Sequence, residues 1–162
     1  MAQELNLKVN HIVAESTNIL STNFGGGHIY SIAIAEDMDN GLLVARAEYA
    51  ADEYEDEVWN AKAYAAGDEA LLLLNPPLLP MTELRGYNTE DKFYNAAGDR
   101  VRAYTLRVGD RITLSENAFD KAPAEKQYVV SDAKTEGEFC AQVLTKIYRT
   151  NMMMYKIQVV SL

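Results

Sequence analysis

The chain has 162 residues and a net charge of −9 at neutral pH. This length fits one domain, or one domain plus an arm, and it buries enough surface to fold without disulfides or a structural metal. With 24 acids against 15 bases, the chain is a poor candidate for binding nucleic acid or an anionic membrane, since both interactions draw affinity from Lys and Arg.

The apolar and cysteine content points to an intracellular protein without a membrane span. The longest purely apolar run, residues 70–74, is far too short to cross a bilayer as a helix. The first residues lack the basic and apolar regions of a signal peptide, so we expect folding in a cytoplasm. The single cysteine, Cys140, excludes an internal disulfide and lies in an apolar run, which predicts a buried, inert thiol.

The first 27 residues differ from the rest of the chain. Leu5, Leu7 and Val9 alternate with polar residues, which is a short strand pattern. Residues 15–27 are mostly small and polar and end on three glycines, so we predict a loop or a hinge there. The predicted organisation is an N-terminal arm or first strand with a glycine-rich hinge at residues 1–27, followed by a β domain at residues 28–162.

The remaining chain reads as a series of short strands. Most of the segments alternate apolar and polar residues, whereas residues 71–74 are apolar on both faces and suit a strand covered on both sides. Turns are predicted at residues 39–41 and 149–151. The predicted strands lie at residues 30–34, 43–49, 59–64, 71–74, 104–108, 112–114, 139–147 and 155–159. The fold class is therefore all-β, a single sandwich or barrel-like domain of short antiparallel strands with a possible N-terminal arm.

Helical signals are few. Ser115 is a fair N-cap for one turn over residues 115–119, and residues 82–93 could hold another short helix. The sequence Ala-Ala-Gly-Asp occurs at residues 65–68 and again at 96–99, and Gly-Asp recurs at 109–110, which indicates repeated turn chemistry rather than two related halves. The predicted core side chains, each on the apolar side of its alternation, are Trp59, Tyr104, Leu106, Phe139, Val143 and Ile157.

No motif in the sequence predicts an active site. His11 and His28 have no partner at zinc-ligand spacing, and the acidic run at residues 52–57 lacks the spacing of a calcium loop, so an exposed loop is favoured there. There is no nucleophile elbow, phosphate-binding loop or zinc-protease motif. The chain is therefore predicted to be a non-enzymatic protein without catalytic residues, cofactor or metal.

The stretch from the Asp-Asn-Gly turn at residues 39–41 to the end, about three-quarters of the chain, shows a familiar order of features. A Leu-rich strand, Ala118-Phe119, Pro123, Tyr128-Val129-Val130 and a terminal hairpin accompany the segments EVWNAKAYAAGD (57–68), YNAAGDRVRAY (94–104) and VGDRITL (108–114). This stretch resembles the small head-associated, decoration or cement-type virion structural proteins of tailed bacteriophages. The resemblance implies a β-rich, non-enzymatic protein that binds a major capsid protein or another virion protein. We expect a homo-oligomer that assembles in the host cytoplasm and resides in the virion.

Two other functions stay open at this point. The chain could be a tail or baseplate component of such a virion. It could also be an intracellular β-barrel, either an enzyme or a ligand-binding protein, with Trp59, Tyr64 and Tyr104 lining a pocket.

The predicted partner-binding residues are Leu5, Leu7 and Val9. As an extended arm, this segment could pair with the open edge of a neighbouring sheet, with main-chain hydrogen bonds for affinity and the alternating apolar side chains for register. The alternative is that residues 5–13 form the first strand of the same β domain.

Overall fold

Two β-sheets form the protein. A computed structural model describes residues 11–22, 27–50, 57–77, 90–130, 139–149 and 152–162. The strands are β1 (Ala14–Asn18), β2 (Ile29–Ala33), β3 (Leu43–Tyr49), β4 (Val58–Ala63), β5 (Leu71–Leu73), β6 (Arg100–Thr105), β7 (Arg111–Ser115), β8 (Tyr128–Val130), β9 (Cys140–Arg149) and β10 (Met152–Ser161). In these residues the helical elements are single 3₁₀ turns at Leu20–Thr22, Glu90–Lys92 and Glu116–Ala118. The all-β prediction is confirmed.

Five strands close into a barrel in the order β2-β4-β3-β5-β6, with β6 pairing back onto β2. The pairs within it are antiparallel except β2 and β4, which run parallel from Ser31 opposite Val58 to Ala33 opposite Asn60. The prediction of antiparallel strands therefore fails for this pair. The parallel pair arises because β3 does not pair with β2, the strand before it in the chain. The next strand, β4, lies between β2 and β3 and runs in the same direction as β2.

Small and branched apolar side chains fill the barrel. Its interior side chains are at most 2% exposed, and they are Ile32, Ile34, Val44, Leu71, Leu73, Val101 and Ala103. Leu72, between two of these on β5, points the opposite way into a second cluster. The prediction that this leucine run is covered on both faces is confirmed, because β5 lies between the barrel interior and the other sheet.

The other five strands form an open antiparallel sheet in the order β1-β7-β10-β9-β8. One face of this open sheet packs on β5 and β6 of the barrel through the larger cluster, called here the main core. Its buried members are Ile19, Ala70, Leu72, Leu106, Ile112, Leu114, Phe139, Ala141, Val143, Tyr155, Ile157 and Val159. The main core therefore joins the two sheets.

Two of the bulges in the described strands overturn a predicted assignment of side chains to one face. Val143 lies opposite Ile157 but Thr145 lies opposite Lys156, so Leu144 is an extra residue on β9. Thr145 and Ile147 therefore lie on the opposite face from Val143, which corrects the predicted common face. A second bulge follows Arg46 on β3 and brings Tyr49 opposite Trp59, away from the face that its alternation predicted.

The N-terminal part of the described chain belongs to the body. Residues 14–18 form β1, which pairs antiparallel with β7, and Ile19 is fully buried. The Leu20 N–H donates to Asp110 Oδ1 at 2.9 Å. The predicted loop or hinge at residues 15–27 is therefore wrong over residues 15–18, which belong to a strand. The alternation in Leu5–Val9 lies outside the described residues.

The core prediction is right for four side chains and wrong for two. Leu106, Phe139, Val143 and Ile157 are at most 6% exposed, whereas Trp59 and Tyr104 are only partly buried.

Cys140 is also partly exposed, in contrast to the predicted buried thiol. The predicted turn after Ser115 is confirmed, but the Ser115 hydroxyl does not cap it and instead accepts the Val13 N–H at 2.9 Å.

The three Gly-Asp sequences form the same turn. In each, the glycine has a φ of 88–98°, and the aspartate carboxylate accepts the backbone N–H three residues earlier. The acceptors are Asp68, Asp99 and Asp110, with N···O distances of 3.2, 3.1 and 2.8 Å. The repeated-turn interpretation of this sequence echo therefore holds.

Candidate functional site

The predicted contact residues Leu5, Leu7 and Val9 lie outside the described residues, and the first described residues are fixed on the body. His11 Nδ1 is 2.7 Å from Asp39 Oδ1, and the Ile12 N–H donates to Asp39 Oδ2 at 3.0 Å. The His11 ring also stacks on Tyr94 at a centroid distance of 5.0 Å. An N-terminal arm can therefore begin only before residue 11, and it would start from a fixed anchor.

The open sheet ends in two edge strands of different character. At one edge, β1 carries polar side chains: Glu15 forms an ion pair with Arg149, and Thr17 Oγ1 is 2.6 Å from Thr113 Oγ1. At the other edge, β8 has no charged residue, and Tyr128 and Val130 are 57% and 63% exposed. Apolar side chains on an open edge are the usual mark of an interaction strand, since free-standing edges are normally charged or covered.

Only part of the backbone of β8 is paired within the described strands. Tyr128, Val129 and Val130 lie opposite Gln142, Ala141 and Cys140 of β9. The Val143 N–H donates to the Gln127 carbonyl at 2.9 Å. Because antiparallel residues alternate between the two sides of a strand, the carbonyl of Gln127 and both backbone groups of Val129 are directed toward β9. The N–H and C=O groups of Tyr128 and Val130 therefore point away from β9, to the side of β8 on which the described part of the chain places no strand.

One mouth of the barrel holds a polar cluster that the sequence analysis did not single out. The Arg46 guanidinium carbon lies 4.3 Å from the Tyr30 ring centroid and 4.8 Å from that of Trp59. Its Nη2 also donates to Glu69 Oε2 at 2.8 Å. Tyr49 meets Trp59 edge to face at 5.1 Å. We call these five residues the mouth cluster. The sequence carries one sign of this cluster: Arg46 follows the buried Val44 by two residues, so both lie on the same side of β3.

The surroundings of Tyr30 in the mouth cluster favour the uncharged form of its side chain. Burial, followed by the negative charge of Glu69, raises the pKa of Tyr30 above its ordinary value. Arg46 Nε and Trp59 Nε1 are buried donors with no hydrogen-bond partner among the described residues. The cluster therefore stacks a cation between two rings, which is a stabilising arrangement and closes this end of the barrel interior.

The structure does not bring Trp59, Tyr64 and Tyr104 to a common pocket. Trp59 packs against the barrel interior, whereas Tyr64 and Tyr104 pack against the main core, on the other side of the barrel wall. The hypothesis of a pocket lined by these three aromatic residues is therefore wrong. Two open grooves have volumes of about 480 and 470 Å³; the second runs beside β1 and residues 74–77 and is lined by Tyr104, but by neither Trp59 nor Tyr64.

Neither a metal-binding cluster nor a membrane-spanning helix occurs among the described residues. No group of three or more His, Cys, Asp or Glu side chains in this part of the chain is arranged to hold a metal ion. None of the helical segments described has the length and apolar character needed to span a membrane.

Comparison of the chain with protein-family models, with curated proteins and with solved structures found no match.

Proposed function

We propose that this chain is a non-enzymatic structural protein of a bacteriophage virion, a decoration or cement subunit of the head that acts by assembly. The observation that carries the proposal is the open edge at β8. This edge is uncharged, exposes Tyr128 and Val130, and presents backbone groups that another strand can pair with. A protein with such an edge is suited to extending its sheet through a partner.

The barrel supports the same proposal. Its interior is filled by side chains at most 2% exposed, and the mouth cluster lies at one end with Arg46 between two rings. A ligand-binding barrel needs interior space, and barrels of few strands have little of it. The barrel is better suited to holding the open sheet rigid than to enclosing a substrate.

The contact with the capsid lattice is assigned to the segment before residue 11. Leu5, Leu7 and Val9 can add a strand to a sheet of the capsid protein, while the anchor at His11 and Ile12 holds the start of the arm on the body. Fixing each residue of such an arm costs about 1–2 kcal/mol of conformational entropy. Repeated binding sites on a symmetric shell offset this cost through multivalency.

Cosedimentation tests the proposal. The purified full chain is mixed with empty shells assembled from a bacteriophage major capsid protein encoded in the same genome as the chain, and separately with tails from the same source. Saturable binding to shells is expected. Binding to tails alone would replace the head assignment by a tail one, and binding to neither would refute the virion proposal.

A matched set of variants tests the arm. Removing residues 1–10, or changing Leu7→Asn, should abolish binding to shells while the thermal unfolding midpoint stays unchanged. Lys8→Asn is the control, because Lys8 lies on the opposite side of the alternation. Full binding by the shortened chain would contradict the arm assignment.

A further inference from the structure

We infer that two copies of this protein pair through β8, antiparallel and about a two-fold axis at Val129, so that two open sheets become one continuous sheet. The inference rests on the proposed assembly function and names a second copy as the occupant of the β8 edge. Each open sheet has five strands with β8 at its end. The joined sheet would have about twice that number, and neither copy would keep a free β8 edge.

The backbone of β8 fixes the register of this pairing. Tyr128 and Val130 direct their N–H and C=O groups away from β9, because the Gln127 carbonyl accepts from the Val143 N–H and successive residues alternate in direction, which turns Val129 toward β9. An antiparallel partner must place its own outward residues opposite these two. With an identical strand, the register that pairs both outward residues sets Tyr128 opposite Val130 of the copy, and Val130 opposite its Tyr128.

Neighbouring registers pair fewer of these groups. Centring the axis on Tyr128 would set Val130 opposite Lys126, which has a φ of 64° and lies in the turn before the strand. Centring it on Val130 would move the pairing beyond the end of β8. The axis at Val129 is therefore the one that pairs the N–H and C=O groups of both Tyr128 and Val130. The resulting contact is self-complementary, as a two-fold contact requires.

The side chains agree with this register. Tyr128 and Val130, which are both exposed, would become cross-strand neighbours on one face, and aromatic residues beside β-branched ones are favourable pairs. Val129 packs on the main core and would meet Val129 of the copy on the other face. The chain carries a net charge of −9, but β8 itself contributes no charge to this contact. The β1 edge, with Glu15, lacks this property.

Disulfide trapping tests the axis. The native Cys140 is first replaced, Cys140→Ser, and single cysteines are then introduced by Val129→Cys or, as the control, Val108→Cys in the β6–β7 turn. Across a non-hydrogen-bonded antiparallel pair the Cα atoms are about 4.5 Å apart, within the range that a disulfide spans. Under mild oxidation, Val129→Cys should form a covalent dimer at least about tenfold faster than the exposed Val108→Cys.

The mass of the otherwise native protein in solution tests the contact itself. Light scattering after gel filtration should show a concentration-dependent dimer. Tyr128→Lys and Val130→Pro should raise its dissociation constant at least about tenfold, since the first puts charge on the edge and the second removes an outward N–H without touching the β8–β9 pairs. Val108→Lys, at an equally exposed valine, should leave it unchanged.

The outcomes separate this inference from the proposed function. A monomer at all concentrations, or equal trapping of both cysteine variants, would overturn the two-fold β8 pairing. If that monomer still cosediments with shells, the proposed function stands without it. A dimer that persists in Val130→Pro would place the contact elsewhere and would also overturn the inference.

Discussion

At the scale of single residues, Gly41 shows how one position serves two constraints. Its φ is 88°, and a Cβ there would lie 2.8 Å from Leu114 Cδ2 and 3.1 Å from Ala14 Cβ. Gly67 has nearly the same φ, 89°, but no atom lies within 4 Å of the position its Cβ would take. Substitutions at the two glycines therefore distinguish the cost of backbone strain, which both share, from the cost of steric overlap, which only Gly41 has.

Alanine at each glycine should destabilise the protein by different amounts. Gly67→Ala is expected to cost about 1–2 kcal/mol, the cost of a left-handed conformation for a residue with a side chain. Gly41→Ala should cost about 1–3 kcal/mol more, because the added methyl group overpacks the contact with β1 and β7. Urea unfolding of both variants measures this difference. Equal losses would mean that Leu114 and Ala14 move aside freely.

Tyr155 should give the folded protein a sensitivity to alkaline pH. Burial, and then its hydrogen bond to Glu116 at 3.1 Å, raises the pKa of Tyr155 above its ordinary value of 10.0. The unfolded chain then loses this proton at a lower pH than the folded chain does. Its contribution to stability is therefore complete below pH 10 and is lost as the pH rises through the raised pKa.

Tyr155→Phe tests this contribution. The variant should lose about 0.5–1.5 kcal/mol at pH 7, the usual worth of a hydrogen bond, and its stability should fall less steeply than that of the native protein above pH 10. Tyr148→Phe, at a side chain 69% exposed, is the control and should change neither quantity. Urea unfolding between pH 7 and 11 gives both values. Parallel pH profiles for Tyr155→Phe and the native protein would contradict the assignment.

At the scale of elements, β1 sets where the chain can be shortened. Val13 and Ile19, at its two ends, are 5% and 0% exposed, and the Val13 N–H is held by Ser115. Removing residues 1–10 should leave the unfolding midpoint nearly unchanged. Removing residues 1–22 should abolish cooperative unfolding, because losing two buried aliphatic side chains, at about 2–5 kcal/mol each, approaches the whole stability of a typical domain. Circular dichroism during heating distinguishes the two, and a cooperative transition in the shorter chain would show that β1 is dispensable.

The positions of most strands could be predicted from the sequence because each carries its own alternation. Two-sided burial of β5 followed from three successive leucines. The face reversal at Leu144 could not be predicted, because a bulge is defined by the partner strand and leaves the local pattern unchanged. β1 was missed for a similar reason: its sequence, Ala-Glu-Ser-Thr-Asn, is polar, and its pairing with β7 decides its structure.

The candidate site was less predictable than the fold. Tyr128 and Val130 were seen only as part of a resemblance, because a strand of three residues has too little pattern to reveal that it lies at an edge. The mouth cluster combines residues from β2, β3 and β4 with Glu69, which follows a Gly-Asp turn. The pairing of β2, β4, β3 and β5 as neighbours brings them together, and the two-residue spacing of Val44 and Arg46 is the one sign of it in the sequence.

At the scale of the whole molecule, the main core should make the barrel and the open sheet unfold together. Leu72 of the barrel and Ile157 of the open sheet belong to this one cluster. The chain has one Trp, in the barrel, and one Cys, in the open sheet, so each sheet carries its own reporter. Trp59 fluorescence and an environment-sensitive dye on Cys140 should give the same urea midpoint.

Leu72→Ala extends this test. Truncating this side chain should lower both midpoints together, with a loss of about 2–5 kcal/mol. Ala63→Gly is the control variant. It changes an exposed residue of β4, so it alters the barrel without altering the main core. Two separated transitions in the native chain would show that the sheets are independent cooperative units.

The buried turn at Asn40-Gly41 also bears on how the protein ages chemically. Asparagine followed by glycine deamidates when the glycine nitrogen attacks the asparagine side-chain carbonyl carbon and closes a succinimide ring. Here the Gly41 N–H donates to the Leu73 carbonyl at 2.7 Å, and the Asn40 side chain is held by both backbone groups of Asn75 at 2.8 and 2.9 Å. Ring closure must therefore wait until this region opens. The appearance of aspartate at position 40 during storage would then record how often the turn opens, and Gly67→Ala should accelerate it if that opening requires global unfolding.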